Sequence, residues 1–319
     1  MITVGVIEEY RELYEKHIVN KAKLTIVKYN SVKHQYEYKP YSHTVSSDAL
    51  NKLSDLIIYN MVFYAFSEEE IVEQHKKYGL LNDLTAAARY AYCQRLPKRN
   101  NPNTDGTPGE VLLDILIQVF EPISQKLIAR AKYKQQGDNN EIKGYDSLYF
   151  VKNKEEISLW LGQVKTGSYN YCKNDIANDL NQKYVLEYFC ESMFYIADKA
   201  DKSCQLSEIL REINEICFKS ALYEWEAETK KQALVDLLKN KNIRLKIPCL
   251  LAYTRDIYSD EKELNLKIKN CVHEIVQAFD QTDFQIIKEL EYELMFCVFP
   301  LSDIKALREK IVEFKKSRG

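Results

Sequence analysis

Glu110, Asp146, Gln163 and Lys165 are of the residue types that a phosphodiester-hydrolysis site can use. Such a site needs hard oxygen ligands for Mg2+ and a cation near the attacking water or the phosphate. Asp146 offers a carboxylate, Gln163 an amide oxygen, Val164 a backbone carbonyl and Lys165 the cation. Glu110, upstream, is the candidate for a second carboxylate. An amide and an ammonium two residues apart in an otherwise apolar strand are costly to bury unless both are used. That cost singles out Gln163 and Lys165.

The elements around these residues must bring them together. Residues 141–151 and 157–167 alternate polar and apolar side chains, and a short charged segment separates them, so they read as a β-hairpin. Side chains alternate faces along a strand, which places Gln163 and Lys165 on one face. With an even-numbered turn, cross-strand partners have numbers summing to an odd value, and Asp146 joins that face. A two-residue turn at Lys154-Glu155 sets Asp146 directly opposite Gln163. An odd-numbered loop would put it on the wrong face.

Thr107-Pro108-Gly109-Glu110 opens an apolar helix with Leu112, Ile115, Leu116, Val119 and Ile123 at helical spacing, expected to reach about residue 133 with a bend at Pro122. Each candidate also has a structural reading. Glu110 is placed to close a capping box on Thr107, and Asp146 follows Gly144-Tyr145 as a turn former would. Asp114 reads as a solvated residue. Lys126, Arg130, Lys132 and Lys134 read as the basic end of the helix rather than a phosphate guide, and Lys98-Arg99 as a similar surface pair.

Residues 1–100 read as an N-terminal α+β unit, a candidate docking domain. Strands are expected near 23–29 and 36–41 and helices from Asp48, from the capping box at Ser67 to Glu70, and over 82–95. The Asn- and Pro-rich stretch 96–109 marks the main boundary. Residues 101–319 hold the hairpin, long helices at 174–198 and 206–238, a strand at 247–254 whose Pro248 suggests an edge or a strand start, a helix at 261–279, a strand at 292–299 and a last helix capped by Ser302. The class is α/β (α+β mixed), one mixed sheet flanked by helices, with a helical insertion at about 173–243.

Composition narrows the function further. With 45 basic and 47 acidic residues the net charge is −2, so no global basic field draws the chain to nucleic acid, and DNA binding would be local or delivered by a partner. The first residues lack an apolar signal core. The longest apolar run, 56–66, is too short to cross a bilayer. The eight cysteines are scattered without a CxxC pair and read as free, mostly core-filling thiols of a cytoplasmic protein. No GxxxxGK[ST] is present, so the chain carries no P-loop ATPase. GxGxxG, GxSxG and HExxH are absent as well. His34 and His43 flank a Tyr-rich loop, where a packing or solvated role is expected rather than metal binding.

The order of a Glu on a helix, an Asp on a strand, Gln-x-Lys on the next strand and then a helix resembles the PD-(D/E)xK nuclease superfamily. Gly144-Tyr145-Asp146 stands in the place of its Pro-Asp and Gln163-Val164-Lys165 in the place of its (D/E)xK. The wider context of 64–71, Gly109-Glu110, 143–146, 159–165 and 299–304 resembles the nuclease subunit of the Hachiman anti-phage defence system, from about residue 45 to the end. The resemblance implies a restriction-endonuclease-like core and a bacterial cytosolic DNase working in a hetero-oligomer with a separate superfamily 2 helicase subunit, which senses abnormal DNA and controls cleavage. By position, Glu110, Asp146 and Gln163 would bind Mg2+ or another divalent cation such as Mn2+. Lys165 would orient the nucleophile or steady transition-state charge. One departure is plain: Gln163 stands where an acidic ligand is commoner, so the site has one negative charge fewer. The second reading is therefore a catalytically degenerate nuclease-fold adaptor that binds a helicase or another partner.

Overall fold

The later strands carry apolar side chains at both odd and even positions, as strands covered on both faces do. In the computed structural model they form the centre of one mixed eight-stranded sheet. The structure describes residues 4–96, 101, 105–121, 125–127, 144–153, 156–199 and 207–317.

The first helix, α1 (Val4–Tyr14), passes through a π-helical turn (Glu15–Val19) into α2 (Asn20–Thr25), followed by β1 (Ile26–Lys28), β2 (Val32–Lys33) and β3 (Glu37–His43). Next come α3 (Ala49–Ala65), α4 (Glu68–Tyr78), α5 (Leu84–Gln94), α6 (Thr107–Phe120), β4 (Gln125–Leu127), β5 (Ser147–Asn153) and β6 (Glu156–Gly167). Between β6 and β7 (Ile243–Thr254) lie α7 (Tyr169–Lys183), α8 (Leu186–Lys199), α9 (Ser207–Leu222) and α10 (Ala227–Asn240). The chain closes with α11 (Glu261–Phe279), β8 (Tyr292–Leu301) and α12 (Ile304–Lys316).

The sheet order is β1-β3-β8-β7-β6-β5-β4, with β2 beside β3. The four central strands β3, β8, β7 and β6 pair parallel, and β6, β5 and β4 continue antiparallel. Alternation along the strands creates two separate cores. Trp160, Val164, Leu250, Ala252, Cys297 and Phe299 pack with α3, α5, α6 and α12 on one face. Leu159, Leu161, Cys249, Leu251, Phe296 and Val298 pack with α7 to α11 on the other. The protein is thus helix, sheet, helix in three layers, and β3, from the N-terminal residues, joins that same sheet through β8.

Several local expectations need correction. The helix from Thr107 ends at Phe120 rather than near residue 133, because Pro122 cannot continue it. Lys126 then falls on β4, paired with β5. Arg130, Lys132, Lys134, Lys98 and Arg99 lie outside the described residues. Pro248 is neither at an edge nor at a strand start but central in β7. It is tolerated because the β6–β7 register breaks there, pairing Trp160 with Lys246 and resuming at Gln163 with Cys249. The cap of α12 is Asp303, which accepts from the Lys305 and Ala306 amides, while Ser302 bonds His43 instead. Each of the two long helices expected after the hairpin is a pair: α7 stops at Lys183, and Glu224, with φ of 49°, turns the chain between α9 and α10. The seven described cysteines are free thiols, five of them buried.

Candidate active site

The hairpin register decides which residues can meet. Ser147 pairs with Gly162 and Asn153 with Glu156, so two residues separate the strands and the pair numbers sum to an odd value throughout. Continuing that register, Asp146 stands opposite Gln163, and its backbone N–H donates to the Gly162 carbonyl at 3.0 Å. Asp146, Gln163 and Lys165 therefore share the face that α7 covers. Gly162 is required on the opposite face: a Cβ there would lie 2.1 Å from Ser147 Oγ and 2.9 Å from Leu113 Cδ2.

Asp146 sits just before β5, and its Oδ2 accepts the Val164 N–H at 2.7 Å, across the centre of Gln163-Val164-Lys165. Burial raises its pKa above the usual carboxylate value. Lys183, the Val164 amide and Lys165 pull the other way, and the Asp179 carboxylate adds to the rise. Gln163 is fully buried. Its Oε1 accepts from Lys183 Nζ at 3.0 Å, and among the described residues its Nε2 has no hydrogen-bond partner. Lys165 Nζ pairs with Asp179 at 2.9 Å and lies 3.6 Å from Asp175. Burial depresses the lysine, but the hydrogen bond and charge of Asp179, with Asp146 and Asp175 behind it, more than reverse this. Lys165 is therefore a lasting cation, suited to steadying negative charge rather than to removing a proton.

Glu110 arrives from the other layer. Gly109 lets α6 approach β6 so closely that a Cβ there would stand 2.6 Å from Val164 Cγ1 and from Thr166 Cγ2. The capping box is not formed: Gly106 is the N-cap, without a side-chain cap bond. The Glu110 carboxylate accepts the Tyr64 hydroxyl at 2.8 Å, and that hydroxyl lies 3.5 Å from the Asp146 carbonyl oxygen. One tyrosine oxygen thus touches both, and Glu110 stands within two hydrogen-bond lengths of the Asp146 backbone. Asp114, one turn on, is not solvated but fully buried, accepting from Asn60 at 2.8 Å and Gln118 at 2.6 Å.

Sequence reasoning did not single out Tyr64 for the site, nor Asp179 and Lys183. Asp175, Asp179 and Lys183 recur every four residues on the helix directly after Lys165, one stripe of α7. That spacing was the available signal. Tyr64 carried no comparable pattern. His43, by contrast, packs as expected: it stacks on Tyr258 at 3.7 Å between centroids and accepts the Ser302 N–H at 3.1 Å.

The model of the HamA family matches residues 12–314. The chain belongs to the HamA family. HamA is a component of the Hachiman defence system, so the chain is a Hachiman component. No curated protein and no solved structure matches it.

Within this HamA chain the donor types suit a hard divalent cation: two carboxylates, an amide oxygen and a backbone carbonyl. Among the described residues no three His, Cys, Asp or Glu side chains are grouped to hold a metal. The set has two acids, and the third oxygen, Gln163 Oε1, is occupied by the Lys183 ammonium. The residues fit the cation in kind, on the condition that Lys183 releases Gln163. Among the described residues no helix is long and apolar enough to cross a membrane.

Proposed function

We propose that the chain is a divalent-metal-dependent deoxyribonuclease, the effector of a Hachiman complex controlled by a partner helicase. The observation that carries this reading is the odd-sum hairpin register. It puts Asp146, Gln163 and Lys165 on one face, while Tyr64 draws Glu110 to the Asp146 backbone. The run α6-β4-β5-β6-α7-β7, antiparallel twice and then parallel, supports a restriction-endonuclease-like core of the PD-(D/E)xK type.

Glu110, Asp146 and Gln163 Oε1 would hold Mg2+ or Mn2+. The bound cation would act as a Lewis acid on the phosphate and its water. Asp146 is fixed by the Val164 amide, so its other oxygen is presented without a further loss of conformational freedom. Lys165, held cationic, steadies the charge that grows on the phosphate oxygens as water adds and the P–O ester bond breaks. The near-neutral charge and the missing P-loop support a division of labour in which the helicase supplies the ATPase and much of the DNA affinity.

Mg2+-dependent degradation of plasmid DNA by the purified complex tests the proposal. Wild type should degrade it and Lys165→Ala should lose at least a hundredfold, on the order of a removed transition-state contact. Equal degradation by both would place the activity elsewhere. The competing adaptor reading draws on the engagement of Gln163 by Lys183 and of Lys165 by Asp179. It requires that wild type degrade nothing, with or without the helicase, and still co-purify with it.

A further inference from the structure

Two cations compete for one oxygen at the centre of this site. Lys183 Nζ donates to Gln163 Oε1 at 3.0 Å and to Asp179 Oδ2 at 3.0 Å, and the same Asp179 oxygen holds Lys165 at 2.9 Å. Asp179 is therefore the shared anchor of both lysines. Gln163 is fully buried and has one amide oxygen to offer, while its Nε2 finds no partner at hydrogen-bond geometry among the described residues. A buried amide nitrogen without a partner among the described residues is an expensive arrangement, and the amide oxygen faces an ammonium.

The backbone that carries Lys183 is pinned. The Tyr145 hydroxyl donates to the Lys183 carbonyl at 2.7 Å, and the Tyr184 hydroxyl donates to the Leu161 carbonyl at 2.9 Å. Tyr145 is itself the residue before Asp146, so the end of α7 and the start of β5 are tied together. The side chain of Lys183 is less constrained, being about a quarter exposed, so it can leave Gln163 by rotation without unfolding α7.

We propose that Lys183, anchored by Asp179, is an internal cation that occupies the Gln163 oxygen and keeps the site closed to divalent metal until it is displaced. The idea rests on reading Asp146, Gln163 and Lys165 as a cation-binding edge. An ammonium on one lone pair of the amide oxygen would repel a divalent cation brought to the other at a few ångströms, so metal binding and the Lys183–Gln163 contact oppose each other. Metal arrival frees Lys183, and any partner that pulls Lys183 outward raises metal affinity at equal concentration. The Gln in place of an acid then has a use: a carboxylate at 163 would hold Lys183 as an ion pair, whereas an amide releases it more readily.

Calorimetric titration of the full-length chain with Mn2+ alone tests this without reference to cleavage. Lys183→Met should bind Mn2+ at least about tenfold more tightly than wild type, the scale of one charge-assisted hydrogen bond. Lys183→Gln provides a second variant that keeps most of the side-chain volume, with thermal unfolding of each metal-free chain as the folding control. Adding Gln163→Ala should erase the gain. Unchanged or weaker Mn2+ binding in folded Lys183 variants overturns the proposal, as does a gain that survives Gln163→Ala. If wild type binds Mn2+ and degrades DNA but the Lys183 variants bind no tighter, the closing role of Lys183 alone fails. If no variant binds Mn2+ and none degrades DNA, the cation-binding edge fails and this proposal with it.

Discussion

Gly109→Ala probes how Glu110 is delivered to the site. An added methyl would stand 2.6 Å from both Val164 Cγ1 and Thr166 Cγ2, whereas carbon atoms in contact rest at about 3.5–4.0 Å. Both neighbours are β-branched and sit on a strand bonded on its two sides, so they cannot swing away. The helix must retreat instead, by about 1 Å to restore normal contact. Overpacking of this kind costs about 1–3 kcal/mol, read as a lower urea midpoint at unchanged slope. Because Glu110 is the next residue, the same retreat moves its carboxylate from Tyr64 and Asp146, and a displacement of about 1 Å lowers a positioned reaction about a hundredfold. Adding Val164→Ala and Thr166→Ser removes the two offending atoms and should return part of both losses. Wild-type stability and wild-type DNA degradation in Gly109→Ala would refute the idea that this close approach sets Glu110.

Three further outcomes follow from other contacts. Tyr64→Phe removes the hydroxyl that the Glu110 carboxylate accepts at 2.8 Å. DNA degradation should fall about tenfold or more, the scale of a hydrogen bond to a charged group, with the ring packing kept and the thermal midpoint moved little. Lys315→Met strands Asp105, which is paired with Lys315 at 2.5 Å where both side chains are almost wholly buried; urea unfolding should show a loss of about 3–5 kcal/mol. His43 is held neutral by burial, which lowers its pKa below 6.5 against the raising effect of the Thr44 carbonyl. The unfolded chain gains that proton first, so stability is fully present above about pH 6.5 and declines as pH falls below it. His43→Gln should flatten this part of the pH profile measured by urea unfolding.

Much of the site geometry is legible in the sequence because strand alternation is rigid arithmetic. Once two residues separate the strands, the faces of Asp146, Gln163 and Lys165 are fixed. The strong 3.6-residue pattern likewise gave α11 at its observed bounds. What escaped was tertiary. Pro248 looks like an edge signal, yet a gap in one ladder lets it sit in the centre of the sheet. Asp114 looks solvated until Asn60 and Gln118 are seen to satisfy it. The approach of Glu110 from the layer opposite α7 depends on how α6 crosses β6, which no local spacing encodes. Asp179 and Lys183 were visible as a helical pair but not as neighbours of Gln163, since that requires knowing how α7 folds back on its own strand.

The most direct test is where a metal sits. Anomalous diffraction from crystals of the complex soaked in Mn2+ should give a peak within about 2.0–2.3 Å of oxygens from Asp146 and Glu110, with Gln163 Oε1 as a third ligand and Lys183 withdrawn. A peak bound elsewhere, or carboxylates of Glu110 and Asp146 too far apart to reach one ion, would contradict the account.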